Sequence, residues 1–232
     1  MFLSIKNAVK KYGKGDAEVH ALDGASLELE EGKICVVLGP SGSGKSTLLN
    51  MIGGIDTLCE GKIMVGDRDI SRMNKRQLTE YRKDDIGFVF QFYNLIADLS
   101  AKENIQVVAD ICENPLDIDE LMVSLGIDHL KNRFPNELSG GQQQRIAIAR
   151  AMVKNPKLLL CDELTGALDS HSSRSVLSVI EKLNETYHTT VIIITHNEAI
   201  SKMADRIVYI KDGKICKNSV NEDKRTADQL EL

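Results

Sequence analysis

The sequence predicts an α/β protein built on a mostly parallel sheet. Three observations carry this reading: short runs that are apolar throughout, helical periodicity between the later runs, and a glycine-rich loop between one such run and a helix. A strand covered on both faces needs no polar residue on either side, so it reads as a continuous apolar stretch.

The elements follow in order. Leu3–Val9 and Ala25–Leu29 have β-type patterning. Ile34–Leu38 is fully apolar and runs into the glycine-rich loop, with a helix from about Lys45. Buried strands recur at Ile86–Val89, Leu158–Cys161 and Val191–Ile194. Between the last two, Val176, Ile180 and Leu183 fall on one helical face. From about residue 99 to 136 the pattern turns helical: Ile105, Val108, Ile111 and Cys112 share a face, and a second short helix follows over Asp117–Leu125. We therefore expect a single domain, with residues 1–98 and 137–232 as the core and 99–136 as a helical insertion. Residues 218–232 are mostly polar and are expected at the surface.

Composition narrows the function. A net charge of −5 over 232 residues argues against a general nucleic-acid footprint, because binders of phosphate backbones carry a basic face. The five cysteines (35, 59, 112, 161 and 216) form no C-x-x-C pair. A disulfide framework or zinc site is not expected, and the reducing cytoplasm is the expected compartment. No stretch approaches the roughly 20 apolar residues that span a bilayer, and polar residues follow the first five too soon for a signal peptide. Any membrane role must come through a partner.

Gly39-Pro40-Ser41-Gly42-Ser43-Gly44-Lys45-Ser46-Thr47 matches the phosphate-loop pattern G-x-x-x-x-G-K-[ST], with a strand before it and a helix after it. Glycines let the backbone curl and aim its N–H groups at phosphate oxygens. The helix adds its positive end. Lys45 would reach the β- and γ-phosphates, and the Ser46 hydroxyl would ligate Mg²⁺. The expected ligand is MgATP. Leu158–Cys161 runs into Asp162-Glu163. Charges at the end of a buried strand are costly unless they coordinate something, so Asp162 would hold Mg²⁺ and Glu163 would orient or deprotonate the attacking water. The simpler alternative is an acidic turn. His196 follows the strand Val191–Ile194, where the carboxyl end of a parallel strand meets the ligand crevice. It is read as a γ-phosphate contact, with a structural histidine as the alternative. His20, His129, His171 and His188 show no ligand spacing and are read as bystanders.

Leu138-Ser139-Gly140-Gly141-Gln142-Gln143-Gln144-Arg145 precedes a helix about 20 residues before the carboxylate pair. Ser-Gly-Gly alone is a helix cap. In this place it resembles the signature of the ATP-binding-cassette (ABC) family. Tyr12, the phosphate loop, Gln91, the signature, Asp162-Glu163, Ala167-Leu168-Asp169 and His196 stand in the family's order across almost the whole chain. The resemblance implies an ABC-type phosphate-loop ATPase with an antiparallel β portion at its N-terminal side. It also assigns roles. Tyr12 would stack on adenine, and Gln91 would touch Mg²⁺ from a loop that senses a partner. Ser139, Gly140 and Gly141, with Gln142 completing the motif, would bind the γ-phosphate of ATP held by a second copy. Asp169 would link the two sites of a homodimer. An ordinary surface tyrosine, a polar loop residue and a helix-start acid are the plain alternatives for Tyr12, Gln91 and Asp169.

Tyr12 to Gly24, Gly87 to Leu95 and Thr165 to Ser170 look like the branch of macrolide export, lipoprotein release and cell division. That branch implies an integral-membrane permease of the FtsX-like type, and a place on the inner face of the cell membrane. Two functions stay open: driving export or extraction of a substrate, or ATP-switched transmission of force without solute transport. Three departures stand out. Leu164 replaces the usual proline after the carboxylate pair, Ile96-Ala97-Asp98 lacks a common proline, and the helical insertion is short. Proline would fit at 164 without strain if the family backbone is kept, but not if Leu164 fills an apolar pocket.

Overall fold

The computed structural model describes residues 1–232, with the side chain of Asp16 excepted. The strands β1 (Leu3–Tyr12) and β2 (Val19–Leu29) open the chain, followed by β3 (Ile34–Leu38), α1 (Lys45–Ile52), β4 (Glu60–Val65), β5 (Arg68–Asp69), α2 (Lys75–Asp84) and β6 (Ile86–Val89). Then come α3 (Ala101–Ala109), α4 (Ile118–Ser124), α5 (Gly140–Met152), β7 (Leu158–Asp162), α6 (Ser170–Tyr187), β8 (Thr190–Thr195), β9 (Arg206–Lys211) and β10 (Lys214–Val220). One sheet has the order β2-β1-β4-β5 and is antiparallel. The other has the order β10-β9-β3-β8-β7-β6 and is parallel except for the β9–β10 hairpin.

Side chains alternate across a strand, so a fully buried strand serves two cores. In β3, Cys35 and Val37 face the core shared with α1 and the antiparallel sheet, while Ile34, Val36 and Leu38 face the core beneath α5 and α6. In β8, Ile192 and Ile194 take the first side and Val191 and Ile193 the second. This is why both strands are apolar at every position.

The helices keep the predicted boundaries where caps define them. Ser100 and Glu103 form a capping box on α3, and Asp117 caps α4. The predicted face running through Ile111 is too long: α3 stops at Ala109, and Ile111 is exposed. A second expectation fails at the carboxyl-terminal side. Residues 218–232 are not simply surface, because Ala227 and Leu230 are buried in the core beside α6. The Ala227 N–H donates to a Glu181 carboxylate oxygen at 3.1 Å, and the Ser170 hydroxyl to the Leu232 carbonyl at 2.7 Å. Two apolar residues in a polar stretch suffice to dock it. Within the charged stretch 67–85, α2 is mostly exposed. The last residue of the stretch is not: Asp85 is buried and paired with Arg68 at 2.7 Å and Lys157 at 3.3 Å.

Candidate nucleotide site

The loop between β3 and α1 is shaped by two glycines. A Cβ on Gly39 would strike the Ile210 carbonyl, and one on Gly44 the Ala21 carbonyl. Gly44 also has φ +102°, a conformation L side chains rarely adopt. It caps α1 with no side-chain acceptor, so the first N–H groups of the helix face the loop's concavity and suit an anion. Lys45 is buried, its ammonium donating to the Gly39 and Pro40 carbonyls at 2.8 and 2.9 Å. The Ser43 hydroxyl is buried without a partner.

Asp162 ends β7, the strand beside β8 in the parallel sheet. Burial pushes its carboxyl above the ordinary range. The neighbouring Glu163 charge adds to this, and the Ser46 hydroxyl and Lys45 oppose it. Glu163 turns the chain at φ 48°, with its N–H on the Ile194 carbonyl at 3.0 Å. Its carboxylate lies 3.0 and 3.1 Å from Nδ1 of His196 and accepts from the Thr195 hydroxyl at 3.4 Å. A carboxylate can only accept, so Nδ1 carries the hydrogen in this pair. His196 thus grips Glu163 in this structure. Leu164, directly after it, is 2% exposed and packed in the core.

These groups line one cleft of about 510 Å³, with Ser41, Gly42, Gly44, Lys45, Ser46, Thr47, Gln91, Asp162, Glu163 and His196 on its walls. That volume suits a small molecule. Convergence follows from topology, since β3, β8 and β7 are adjacent and parallel and deliver their carboxyl ends to one edge. Gln91 enters from the β6 side, and Gly166 leaves room for it: a Cβ there would sit 2.9 Å from its amide nitrogen. Tyr12 is not on the cleft wall. It stands half-exposed at the end of β1, its hydroxyl donating to Asp56 at 3.0 Å.

Sequence reasoning missed three wall residues. Val19, His20 and Ala21 line the cleft, and His20, read as a bystander, is among them. Its Nε2 lies 3.2 Å from Glu18. No local motif marks these residues. Strand β2 brings them in by running behind Gly44.

Ser139, Gly140, Gly141 and Gln142 also lie off the cleft wall. Ser139 caps α5, and Gln142 completes a capping box with its amide oxygen 2.9 Å from the Ser139 N–H. Gly140 faces the Tyr93 hydroxyl and Leu168, and Gly141 faces Ser172. Asp169 is close by as the cap of α6, accepting from the Ser172 N–H at 2.9 Å and its hydroxyl at 2.7 Å. The two helix starts form a second cluster on the same chain.

An oxygen donor set of one carboxylate, one hydroxyl and one amide fits Mg²⁺, which binds through one or two carboxylates and completes its shell with water and phosphate. Among the described residues, no group of three or more His, Cys, Asp or Glu side chains is placed to hold a metal.

Strand-end carboxylates beside a phosphate loop, on a parallel sheet, define a phosphate-loop nucleotide hydrolase. The ABC transporter family model matches residues 22–166, and the chain belongs to that family as an ABC-type ATPase domain. It is 42% identical over 98% of its length to a putative ABC transporter ATP-binding protein, MG065 homolog, from Mycoplasma pneumoniae, covering 50% of that protein. It is 40% identical over 92% of its length to the uncharacterized ABC transporter ATP-binding protein MJ0796 of Methanocaldococcus jannaschii, covering 94% of it. A macrolide export ATP-binding/permease protein, MacB, from Hyphomonas neptunium is 40% identical over 95% of the chain, which covers 35% of that protein. The dimeric post-hydrolysis structure of MJ0796 bound to ADP and Pi superposes with TM-score 0.85 at 36% identity, over 95% of this chain and 99% of that one. The chain spans about half to two-thirds of the length of several curated relatives it matches. Among the described residues, no helix is long and apolar enough to cross a membrane.

Proposed function

We propose that this chain binds MgATP in the cleft, hydrolyses it in a homodimer, and drives an FtsX-like membrane permease that exports or extracts a substrate. The observation that carries the reading is the division of the motifs. The phosphate loop, Asp162, Glu163 and His196 share one cleft, while Ser139–Gly141 stand outside it. A second copy would bring its signature to the open side of the first copy's cleft. The dimeric MJ0796 cassette structures support that assembly.

The roles follow from position. The Gly39–Thr47 backbone and Lys45 hold the phosphates, with Lys45 exchanging two carbonyl oxygens for them. Ser46, Gln91 and Asp162 would hold Mg²⁺, which would supply positive charge against the charge that develops on the phosphates. Glu163 orients the water and accepts its proton. His196 releases part of its grip on Glu163 to meet the γ-phosphate. Ser139, Gly140, Gly141 and Gln142 complete the site in trans, and Asp169 connects the two sites. Tyr12 packs on adenine at the margin of the cleft.

The permease reading draws on the macrolide-export relatives and on apolar exposure near the Gln91 loop. Phe92 is 74% exposed, and Phe134 lies in a hollow with Ala97, Asp98, His129 and Arg133. In this reading the permease docks on that surface, on the inner face of the membrane. The test of the shared site is ATPase specific activity against protein concentration. Activity per chain should climb with concentration toward a plateau, and a value that stays flat on dilution contradicts a site shared between two copies.

A further inference from the structure

We infer that Asp56 is a positioning residue for the nucleobase: its carboxylate holds the Tyr12 ring at the angle on which an adenine stacks. This rests on the reading of Tyr12 as the adenine platform and deepens it. Tyr12 ends β1 and is 43% exposed. Its phenol is held from outside the strand, by donation to Oδ2 of Asp56 at 3.0 Å. The other carboxylate oxygen, Oδ1, accepts from the Lys10 ammonium at 2.7 Å and from the Thr57 N–H at 2.7 Å. Lys10, buried and on the same strand as Tyr12, also donates to the Thr57 carbonyl at 2.8 Å, and its ammonium sits 5.0 Å from the centroid of the Tyr12 ring.

Three consequences follow. A cation against one face of an aromatic ring is favourable and fixes that face as occupied, so a planar base has only the opposite face to use. A ring held at its hydroxyl and on one face has lost its freedom before the base arrives, and the ordering cost of stacking falls accordingly. The anchor is also tied to the phosphate loop. Asp56 follows the end of α1, its N–H on the Asn50 carbonyl at 3.4 Å, and α1 starts at the loop itself. The phosphate grip at the start of α1 and the ring anchor in the turn after it are therefore joined through one helix. Burial pushes the Asp56 carboxyl up. Hydrogen bonds from Lys10, the Thr57 N–H and Tyr12 outweigh burial and keep it below its ordinary value, so the anchor stays charged at neutral pH.

The experiment separates base from phosphate. Calorimetry in Mg²⁺ measures the dissociation constants of ADP, which presents the base without supporting turnover, and of inorganic pyrophosphate, which presents only phosphate. Asp56→Ala should weaken ADP about five- to tenfold, a share of what base–aromatic stacking contributes, and leave pyrophosphate within about twofold. Asp56→Asn, which still accepts from the phenol but no longer neutralises Lys10, should fall between Asp56→Ala and the parent. It also serves as the folded control. The proposal is overturned if ADP is unaffected, or if ADP and pyrophosphate weaken together, as a merely structural role would require. Tyr12→Ala distinguishes the two levels of the argument. Selective loss of ADP there but not in Asp56→Ala sinks the anchor alone; no selective loss in Tyr12→Ala sinks the adenine platform and the anchor with it.

Discussion

Two helices in this protein have glycines at their starts, α1 at its cap and α5 in its first turn, and they start differently. At α1 the cap is Gly44, with φ +102° and no side-chain acceptor, so the first-turn N–H groups are left for a ligand. At α5 the cap is Ser139, which forms a capping box with Gln142. The glycines differ as well. Gly44 is required by its own chain, since any Cβ would strike the Ala21 carbonyl. Neither Gly140 nor Gly141 has positive φ, and their nearest neighbours are mostly side-chain tips of Tyr93, Leu168 and Ser172. The first loop is built for a ligand by its own backbone. The second is a finished helix start whose glycines pack on their own chain, Gly141 buried against Ser172, and in the proposed dimer its ligand belongs to the other copy.

The largest effect that sharpens this contrast is on Glu163, on the α1 side. Glu163→Gln removes the proton acceptor but keeps the shape, and should slow turnover by about 10²–10⁴ with ATP still bound. Equal slowing of turnover and loss of binding, measured by single-turnover kinetics and calorimetry, would break the assignment.

Gly44→Ala comes next. Forcing a side chain into that backbone costs about 1–3 kcal/mol before the clash with Ala21 is counted. Phosphate affinity should collapse and the melting temperature should drop. Retained pyrophosphate binding would show that the loop does not depend on this glycine.

Leu164→Pro follows. Leu164 is buried, and Glu163 before it has φ 48°, whereas the residue before a proline is pushed toward extended backbone. A buried leucine contributes roughly 1.5–3 kcal/mol, of which a proline ring recovers part. The expected outcome is a Tm lower by about 3–8 °C with slower hydrolysis. An unchanged or higher Tm would mean the proline backbone is still available here.

Ser139→Ala is the smallest in stability. Loss of the cap costs about 1 kcal/mol, seen as a small shift in the melt. Hydrolysis should fall further than that shift explains, while ADP affinity stays at the parent value. A fall in ADP affinity would place Ser139 in its own chain's site and erase the contrast.

Legibility followed the same divide. The ends of β3, β6, β7 and β8 were readable because strands buried on both faces announce themselves as apolar runs. The phosphate loop and carboxylate pair were readable because chemistry fixes their residue types. The β9–β10 hairpin and β4 were not, since Lys214–Val220 and Glu60–Lys62 are mostly exposed and largely polar. Nor was the place of His20, which depends on β2 crossing behind Gly44. Ile111 misled because an apolar residue at helical spacing need not be inside the helix. Ala227 and Leu230 were hidden by the polar residues around them. For Leu164 the sequence posed the question; the structure shows the residue buried in the core, and Leu164→Pro decides whether the backbone accepts proline. Asp56 had no motif at all, and only its distances to Tyr12 and Lys10 single it out.

In the proposed dimer the α1 side and the α5 side of one site belong to different copies of the chain. Glu163→Gln holds ATP without consuming it, and a ligand that binds only the dimer stabilises the dimer by mass action. Sizing chromatography of Glu163→Gln with and without MgATP tests this most directly. The account predicts a shift from monomer to dimer on adding MgATP, abolished when Ser139→Ala is added. A protein that stays monomeric at high concentration with ATP demonstrably bound would contradict it.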